Sequence, residues 1–134
     1  MERSKPRKKP SKRISTEKSP GEGGLSLRAR IWFDMDGETF IAPGRATLLE
    51  RIDRYGSISK AAKSMEMSYR HAWLLVDDMN RKAISPLVER VSGGKGGGGT
   101  VLTVEGKKTL ERFEKLQGKI RNFVEEVAKE NGML

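Results

Sequence analysis

The sequence predicts a mainly α-helical domain that carries one small β-hairpin. Apolar residues recur at helical spacing in four segments between Ala46 and Val127, which indicates four amphipathic helices. The glycine-rich stretch Ser92–Thr100 lies between two short β-branched runs, a pattern typical of a hairpin tip. A chain of 134 residues is long enough for one domain with a modest core.

The N-terminal segment, residues 1–24, is predicted to be a disordered basic arm. It is rich in Lys, Arg, Ser, Pro and Gly, so it offers little apolar surface to bury. Residues 1–20 hold eight basic and two acidic side chains, and they supply +6 of the net charge of +9. Basic arms usually meet polyanions, of which nucleic acid is the commonest. The alternative is a disordered tail that keeps the protein solvated and binds no polyanion.

Two strands are predicted after the arm. Leu25–Asp34 begins with alternating apolar and polar residues, which predicts a half-buried strand. Asp36 and Gly37 then indicate a turn, after which Thr39–Ala42 is predicted to return as the second strand. Pro43 and the glycine after it are expected to break the chain before the first helix.

Three helices are predicted next, at Arg45–Arg54, Ser57–Met65 and Ser68–Ala83. Gly56 is expected to end the first, because glycine readily takes the left-handed conformation at a helix C-terminus. Ser57 or Ser59 is predicted to cap the second helix, and Ser68 the third. Only two residues, Glu66 and Met67, join the second helix to the third, which suits a sharp helix-turn-helix corner.

The glycine-rich stretch does not match a phosphate-binding loop. A Walker-type loop needs Gly, four residues and then Gly-Lys-Ser/Thr. Here Gly94 and Lys95 are followed by Gly96, and Glu89 occupies the position of the first Gly. A dinucleotide-binding loop opens a helix, whereas Thr100–Leu102 is predicted to be a strand. We therefore expect a hairpin whose tip approaches a partner and carries one positive charge; a surface hairpin without a role is the alternative.

Residues 103–134 are predicted to form a long C-terminal helix that Thr103 caps. Its apolar residues form a stripe wider than a lone short domain covers, and we expect this stripe to make a homodimer. The stripe consists of Leu110, Phe113, Leu116, Ile120, Val124 and Val127. Packing of the long helix against its own three-helix core is the alternative.

The order strand, three helices, hairpin and helix is that of a winged helix-turn-helix. Residues 25–102 then form a DNA-binding domain, with the hairpin as its wing. In such domains the third helix enters the major groove of the duplex. The sequence thus predicts a fold that is mainly α, with a β-hairpin wing and a long C-terminal dimerisation helix.

Two stretches are distinctive: GSISKAAKSMEMSYRHAWLLVDDMN from Gly56, and LVERVSGGKGGGGTVLTVEGKK from Leu87. They closely resemble the DNA-binding domain of the ModE family of molybdate-responsive transcription regulators, whose helix-turn-helix is similar to that of LysR-type regulators. The resemblance runs from about Leu25 to Ile120 and implies a dimeric, sequence-specific DNA binder. In that family the long helix and the first strand make the dimer. Full-length members also carry a molybdate-binding module; because this chain ends at Leu134, we expect only the DNA-binding half to carry over.

The start of the third helix holds the residues expected to face base edges. Arg70 is the candidate for a bidentate contact to guanine, and Tyr69 for a contact to phosphate or a thymine methyl group. Ser68 caps the helix, contacts DNA or does both. His71, the one histidine of the chain, is predicted to contact the groove rather than a metal ion. Trp73 is predicted to be partly buried, with its edge near the DNA.

Five further residues are candidate phosphate contacts. Ser57, Ser59 and Lys60 start the second helix, where backbone amides commonly hold a phosphate; a solvated surface charge is the alternative for Lys60. On the wing, Lys95 is predicted to meet phosphate or the minor groove. Arg90 is predicted to approach the phosphates as well, with pairing to a carboxylate as its alternative.

These features predict a homodimeric transcription regulator that binds a pseudo-palindromic site in double-stranded DNA. The alternative is an architectural or protein-binding winged helix that coats DNA through its basic arm. No enzyme is expected, since the chain has no Cys, one His and no matching phosphate loop. We expect no metal, cofactor or membrane span, and a cytoplasmic location. For the effector three cases stay open: none, a separate sensor protein, or a small ligand in a dimer cavity.

Overall fold

The computed structural model of the chain describes residues 14–16, 25–94 and 97–133. Its elements in chain order are β1 (Ile14–Thr16), β2 (Leu27–Ala29), β3 (Phe33–Met35), β4 (Glu38–Ile41), α1 (Pro43–Tyr55), α2 (Ile58–Ser64), α3 (Tyr69–Lys82), β5 (Val88–Gly94), β6 (Gly97–Leu102) and α4 (Val104–Glu130). The described strands form three antiparallel ribbons, β1–β2, β3–β4 and β5–β6. The protein is therefore mainly helical with small antiparallel hairpins, as predicted.

The first part of the chain differs from the prediction. β1 pairs with β2, so the predicted absence of regular structure does not hold for Ile14–Thr16; the other residues of the segment 1–24 lie outside the described residues. The prediction of a single strand over Leu25–Asp34 is wrong. It is divided into β2 and β3 because the two pieces have different partners: β2 pairs with β1, and β3 pairs with β4 across the turn at Asp36 and Gly37.

The predicted helices are confirmed, with small shifts at their ends. α1 begins earlier than expected because Pro43 occupies its first turn, where a missing N–H costs nothing. Gly56 ends α1 with a left-handed φ of 68°. The hydroxyls of Ser57 and Ser68 each accept a backbone N–H at 3.0 Å and cap α2 and α3. Of the two cap candidates for α2, the cap is therefore Ser57 and not Ser59.

The glycine-rich hairpin has longer strands than the sequence predicted. β5 continues to Gly94 and β6 begins at Gly97, so backbone pairing extends into the glycine run. Glycine offers no side chain to the ribbon, but its backbone still pairs with the facing strand. Lys95 and Gly96 lie outside the described residues, so the predicted contacts of Lys95 remain a prediction.

The core forms where α1, α3, β4, the hairpin base and the first half of α4 meet. The largest fully buried side chains are Phe113, Ile41, Leu48, Leu49, Ile52, Met79 and Leu87. Phe33 meets Phe113 edge-on with ring centroids 5.1 Å apart, which ties β3 to α4. Next to the core, Arg45 of α1 binds the Asp78 carboxylate of α3 at 2.7 Å and so ties the two helices together, while Lys82 binds the same carboxylate at 2.9 Å from within α3.

α4 packs against α1, the β1–β2 ribbon and β6. Leu110 and Phe113 belong to the core of the same chain, and Val124 is buried as well. These three side chains therefore do not face a second chain, contrary to the prediction, because their surface is already covered within their own domain. Of the other predicted dimer contacts, Leu116 is exposed, and Ile120 and Val127 are half-buried.

Candidate nucleic-acid interface

An open cleft of about 350 Å³ lies between the start of α2, one side of α3 and the β5–β6 hairpin. Half of the residues predicted from the sequence to contact DNA line this cleft: Ser57, Ser59, Tyr69, Trp73 and Arg90. They come from three separate segments of the chain. The fold thus gathers hydroxyl, aromatic and cationic side chains around one groove.

The α3 wall of the cleft is a row at helical spacing. Tyr69, Trp73, Asp77 and Asn80 lie along it. Tyr69 keeps 49% of its surface exposed and Trp73 keeps 46%, so both side chains are exposed, whereas partial burial was predicted for Trp73. Arg70 is exposed in the same first turn but does not line the cleft, so α3 presents a second free side next to it. His71 is exposed on that second side as well.

The start of α2 forms the opposite wall. The Ser57 hydroxyl is already engaged, since it accepts the Lys60 N–H at 3.0 Å, whereas Ser59 and the Lys60 side chain are exposed. A second recess of about 290 Å³ shares Ser57 and Arg90 with the cleft and continues along the hairpin. Among the described residues Arg90 forms no ion pair within 4.0 Å, so its alternative pairing to a carboxylate is not seen.

The hairpin is docked on the helical body at two points that sequence reasoning missed. At its base, the Asn80 side chain accepts the N–H groups of Leu87 and Val88 at 2.8 and 3.1 Å, and donates to the Val88 carbonyl at 3.0 Å. Farther out, the Thr100 N–H donates to the Gly56 carbonyl at 3.0 Å. The outer contact joins residues far apart in the chain, and the Asn80 bonds span a loop of seven to eight residues, so helix and strand periodicity predicts neither contact.

Glycine at position 99 makes the outer contact possible. A Cβ atom on Gly99 would lie 2.8 Å from the carbonyl oxygen of Gly56, which is closer than carbon and oxygen normally approach. The neighbouring Thr100 is the residue whose N–H binds that oxygen. The glycine run therefore serves close backbone contact within the protein, in addition to whatever its tip contacts outside.

Two carboxylates also line the cleft, and the sequence analysis did not single them out. Asp77 is paired with Arg81 at 3.0 Å, which offsets its charge. Glu89 lies on β5 next to Arg90. A carboxylate repels phosphate but accepts a hydrogen bond from the amino group of cytosine. The cleft therefore has mixed charge rather than a uniformly basic lining.

The described part of the chain shows neither a metal site nor a membrane-spanning helix. There, no three His, Cys, Asp or Glu side chains are grouped so that they could hold a metal ion. None of the helices in residues 25–133 that the structure describes has the length and apolar character needed to cross a bilayer.

No family model matches the chain, but curated proteins do. It is 45% identical over 89 residues to the molybdenum transport protein ModE of Azotobacter vinelandii, over 66% of this chain and 33% of the relative. It is 44% identical over 78 residues to the transcriptional regulator ModE of Haemophilus influenzae, over 58% of this chain and 31% of the relative. The molybdenum-pterin-binding protein MopB of Rhodobacter capsulatus is 38% identical over 110 residues, 82% of this chain and 40% of the relative.

The matches fall in the N-terminal part of these relatives, and the chain covers about 31–40% of their length. None of the three is named as an enzyme, in agreement with the expectation of a protein without catalytic activity.

Proposed function

The chain belongs to the ModE-type transcription regulators, whose N-terminal part it matches, and on this premise we propose that it binds DNA as a sequence-specific winged helix-turn-helix. The observation that carries the proposal is the cleft between α3, the start of α2 and the hairpin. In the proposed complex α3 enters the major groove and the β5–β6 hairpin lies along the duplex as the wing.

Base readout is assigned to the exposed first turns of α3. Arg70 makes the bidentate contact to guanine, while Tyr69 and Trp73 offer apolar surface to thymine methyl groups. This assignment is supported by the exposure of all three side chains, since a buried residue could not reach a base edge. His71 is an additional groove contact in the same turn.

Phosphate contacts are assigned to the rim of the cleft. Lys60 and Ser59 on α2, together with Arg90 on β5, supply affinity that does not depend on sequence. Lys95 at the tip of the wing is the fourth contact of this kind. The exposure of Ser59, Lys60 and Arg90 supports the assignment, and the anchored hairpin supports a wing of fixed orientation.

We also propose that the protein acts as a homodimer on a pseudo-palindromic site. After α4 has packed on its own domain, Leu116 and Phe123 keep 40% and 61% of their surfaces exposed. With the half-buried Ile120 and Val127 they form a row spaced by four, three and four residues along one side of α4. A row of this kind suits packing against a second helix. Phe123 was not in the predicted stripe.

Selection of genomic DNA fragments by the full chain tests the proposal. We expect enrichment of one sequence with two inverted half-sites, because a two-fold dimer reads the same half-site twice. Recovery of fragments without a common sequence would refute sequence-specific regulation and favour an architectural role. Recovery of single, unrepeated half-sites would refute the dimer but leave DNA readout standing.

A further inference from the structure

The outward side of α4 carries a row of four basic side chains, called here the α4 basic row. Its members are Lys108, Arg112, Lys115 and Lys119. Their spacing of four, three and four residues places them on one side of the helix. All four are exposed. The buried residues of α4, such as Phe113, lie on the other side, so the row points away from the core of its own domain.

The α4 basic row forms no ion pair within 4.0 Å in the described part of the protein. On α1 and α3, by contrast, Arg45, Arg54 and Lys82 each bind a carboxylate at 2.7–2.9 Å. No such pair within 4.0 Å involves the row, although Glu111 stands one turn before Lys115. Neighbours on one helix face are about 5–6 Å apart, so the four like charges repel each other, and the single Glu111 at this spacing offsets only part of that repulsion. A polyanion would relieve this repulsion.

The length of the row fits a nucleic-acid backbone. Lys108 and Lys119 are eleven residues apart, which is about 16 Å of helix axis. One strand of B-DNA carries a phosphate for every 3.4 Å of its axis. Successive phosphates also wind around that axis by about a tenth of a turn each, so a straight row of this length faces roughly two or three of them. The cations of the row can thus meet neighbouring phosphates of one strand, a regular array of anions that an acidic protein surface would match only through a specific arrangement of side chains.

We propose that the α4 basic row is a second DNA-contacting surface, which binds the phosphate backbone flanking the segment read by α3. The inference rests on the proposed DNA-binding function. α4 packs on α1, the β1–β2 ribbon and β6, whereas α3 packs on α2 and β4. The row and the exposed side of α3 thus belong to different packing units of the fold, and on this proposal the duplex extends beyond the segment read by α3 to reach the row.

Salt-dependent binding by the full chain tests this inference. The row variant R112Q/K115Q/K119Q removes three cations, and the control variant K107Q/R121Q/K129Q removes the same residue types from other sides of α4. Glutamine keeps helix propensity. Each protein is titrated with a short duplex that covers only the α3 and wing segment, and with a long duplex that has the same segment at its centre.

We expect the row variant to lose about 2–3 from the slope of log K against log salt on the long duplex, at about 0.9 per phosphate contact. Its slope on the short duplex should equal that of the unaltered protein. The control variant should keep both slopes, and R112K/K115R/K119R should restore the steep slope. Thermal unfolding of each variant checks that folding is unchanged.

An unchanged slope for the row variant on the long duplex would overturn the inference and make an acidic protein surface the better partner. An equal loss in the control variant would also overturn it, since any cation on α4 would then serve. If the unaltered protein bound neither duplex, the proposed DNA-binding function would fail first. The two failures are therefore distinguishable.

Discussion

Arg70 and Lys60 are both exposed and basic, yet they are expected to contribute to binding in different ways. Arg70 lies on the first turn of α3 and is assigned to a base, whereas Lys60 lies on α2 and is assigned to phosphate. We predict that Arg70→Ala weakens binding to the preferred site by about 1–3 kcal/mol and relaxes sequence preference at one position. Lys60→Gln should weaken all duplexes alike. Fluorescence anisotropy with matched and altered sites measures both; uniform weakening by Arg70→Ala would contradict the assignment.

Asp78 accepts hydrogen bonds from two cationic side chains, so its charge is expected to contribute to stability. Hydrogen bonds from Lys82 and Arg45 hold the pKa of its carboxyl below the ordinary value. A lowered pKa in the folded state contributes stability above the ordinary carboxylate pKa, near 4, that is lost as the pH falls through the folded-state pKa. We predict that Asp78→Asn lowers the free energy of unfolding by about 1–2 kcal/mol at neutral pH. The free energy of unfolding of this variant should also decrease less as the pH falls.

The neighbouring Asp77 provides the control for this prediction. Its ion pair with Arg81 is more exposed, so Asp77→Asn should cost less than about 0.5 kcal/mol. Urea unfolding of both variants at neutral and acidic pH makes the comparison. Equal effects of the two substitutions would show that the Asp78 network adds no special stability.

Among the elements, the hairpin depends on one close contact. Gly99→Ala places a methyl group against the Gly56 carbonyl and should push the hairpin away from the end of α1. We predict that the slope of log K against log salt for DNA binding becomes shallower by about 1–2, because the contacts of the wing with phosphate are lost. Gly118→Ala is the control: a Cβ there would have no neighbour nearer than 4.0 Å, so α4 should gain up to about 1 kcal/mol. An unaltered salt slope for Gly99→Ala would mean that wing orientation is irrelevant.

The elements also show where sequence reasoning succeeds. The sequence predicted local features correctly, because they depend on neighbouring residues only. These features are the helical periodicity, the caps Ser57, Ser68 and Thr103, and the end of α1 at Gly56. Strand pairing is not local: β1 lies in a segment without apolar periodicity and becomes a strand only against β2. The hydrogen bonds that Asn80 makes with the hairpin span only seven to eight residues, but they depend on a side-chain contact across a loop, which periodicity does not predict. For α4, periodicity identified apolar positions but could not distinguish those buried in the core of the chain from those left exposed.

For the whole molecule, the exposed apolar row of α4 should determine the oligomeric state. We predict that the double variant L116E/F123E weakens self-association at least tenfold, or about 1.4 kcal/mol, because it places charge in the proposed contact. Val104→Ser, at a residue that is 72% exposed near the start of α4, should leave association unchanged. Sedimentation equilibrium measures both. A monomeric unaltered protein would contradict the dimer, as would an unaffected double variant.

The central claim is that the chain reads DNA sequence through the cleft of α3, α2 and the hairpin. Its most direct test is the ratio of dissociation constants for a selected site and a shuffled duplex, measured with the full chain at physiological salt. We predict a ratio of at least about 10³, the lower end for sequence-specific proteins. Equal dissociation constants for the two duplexes would contradict the claim.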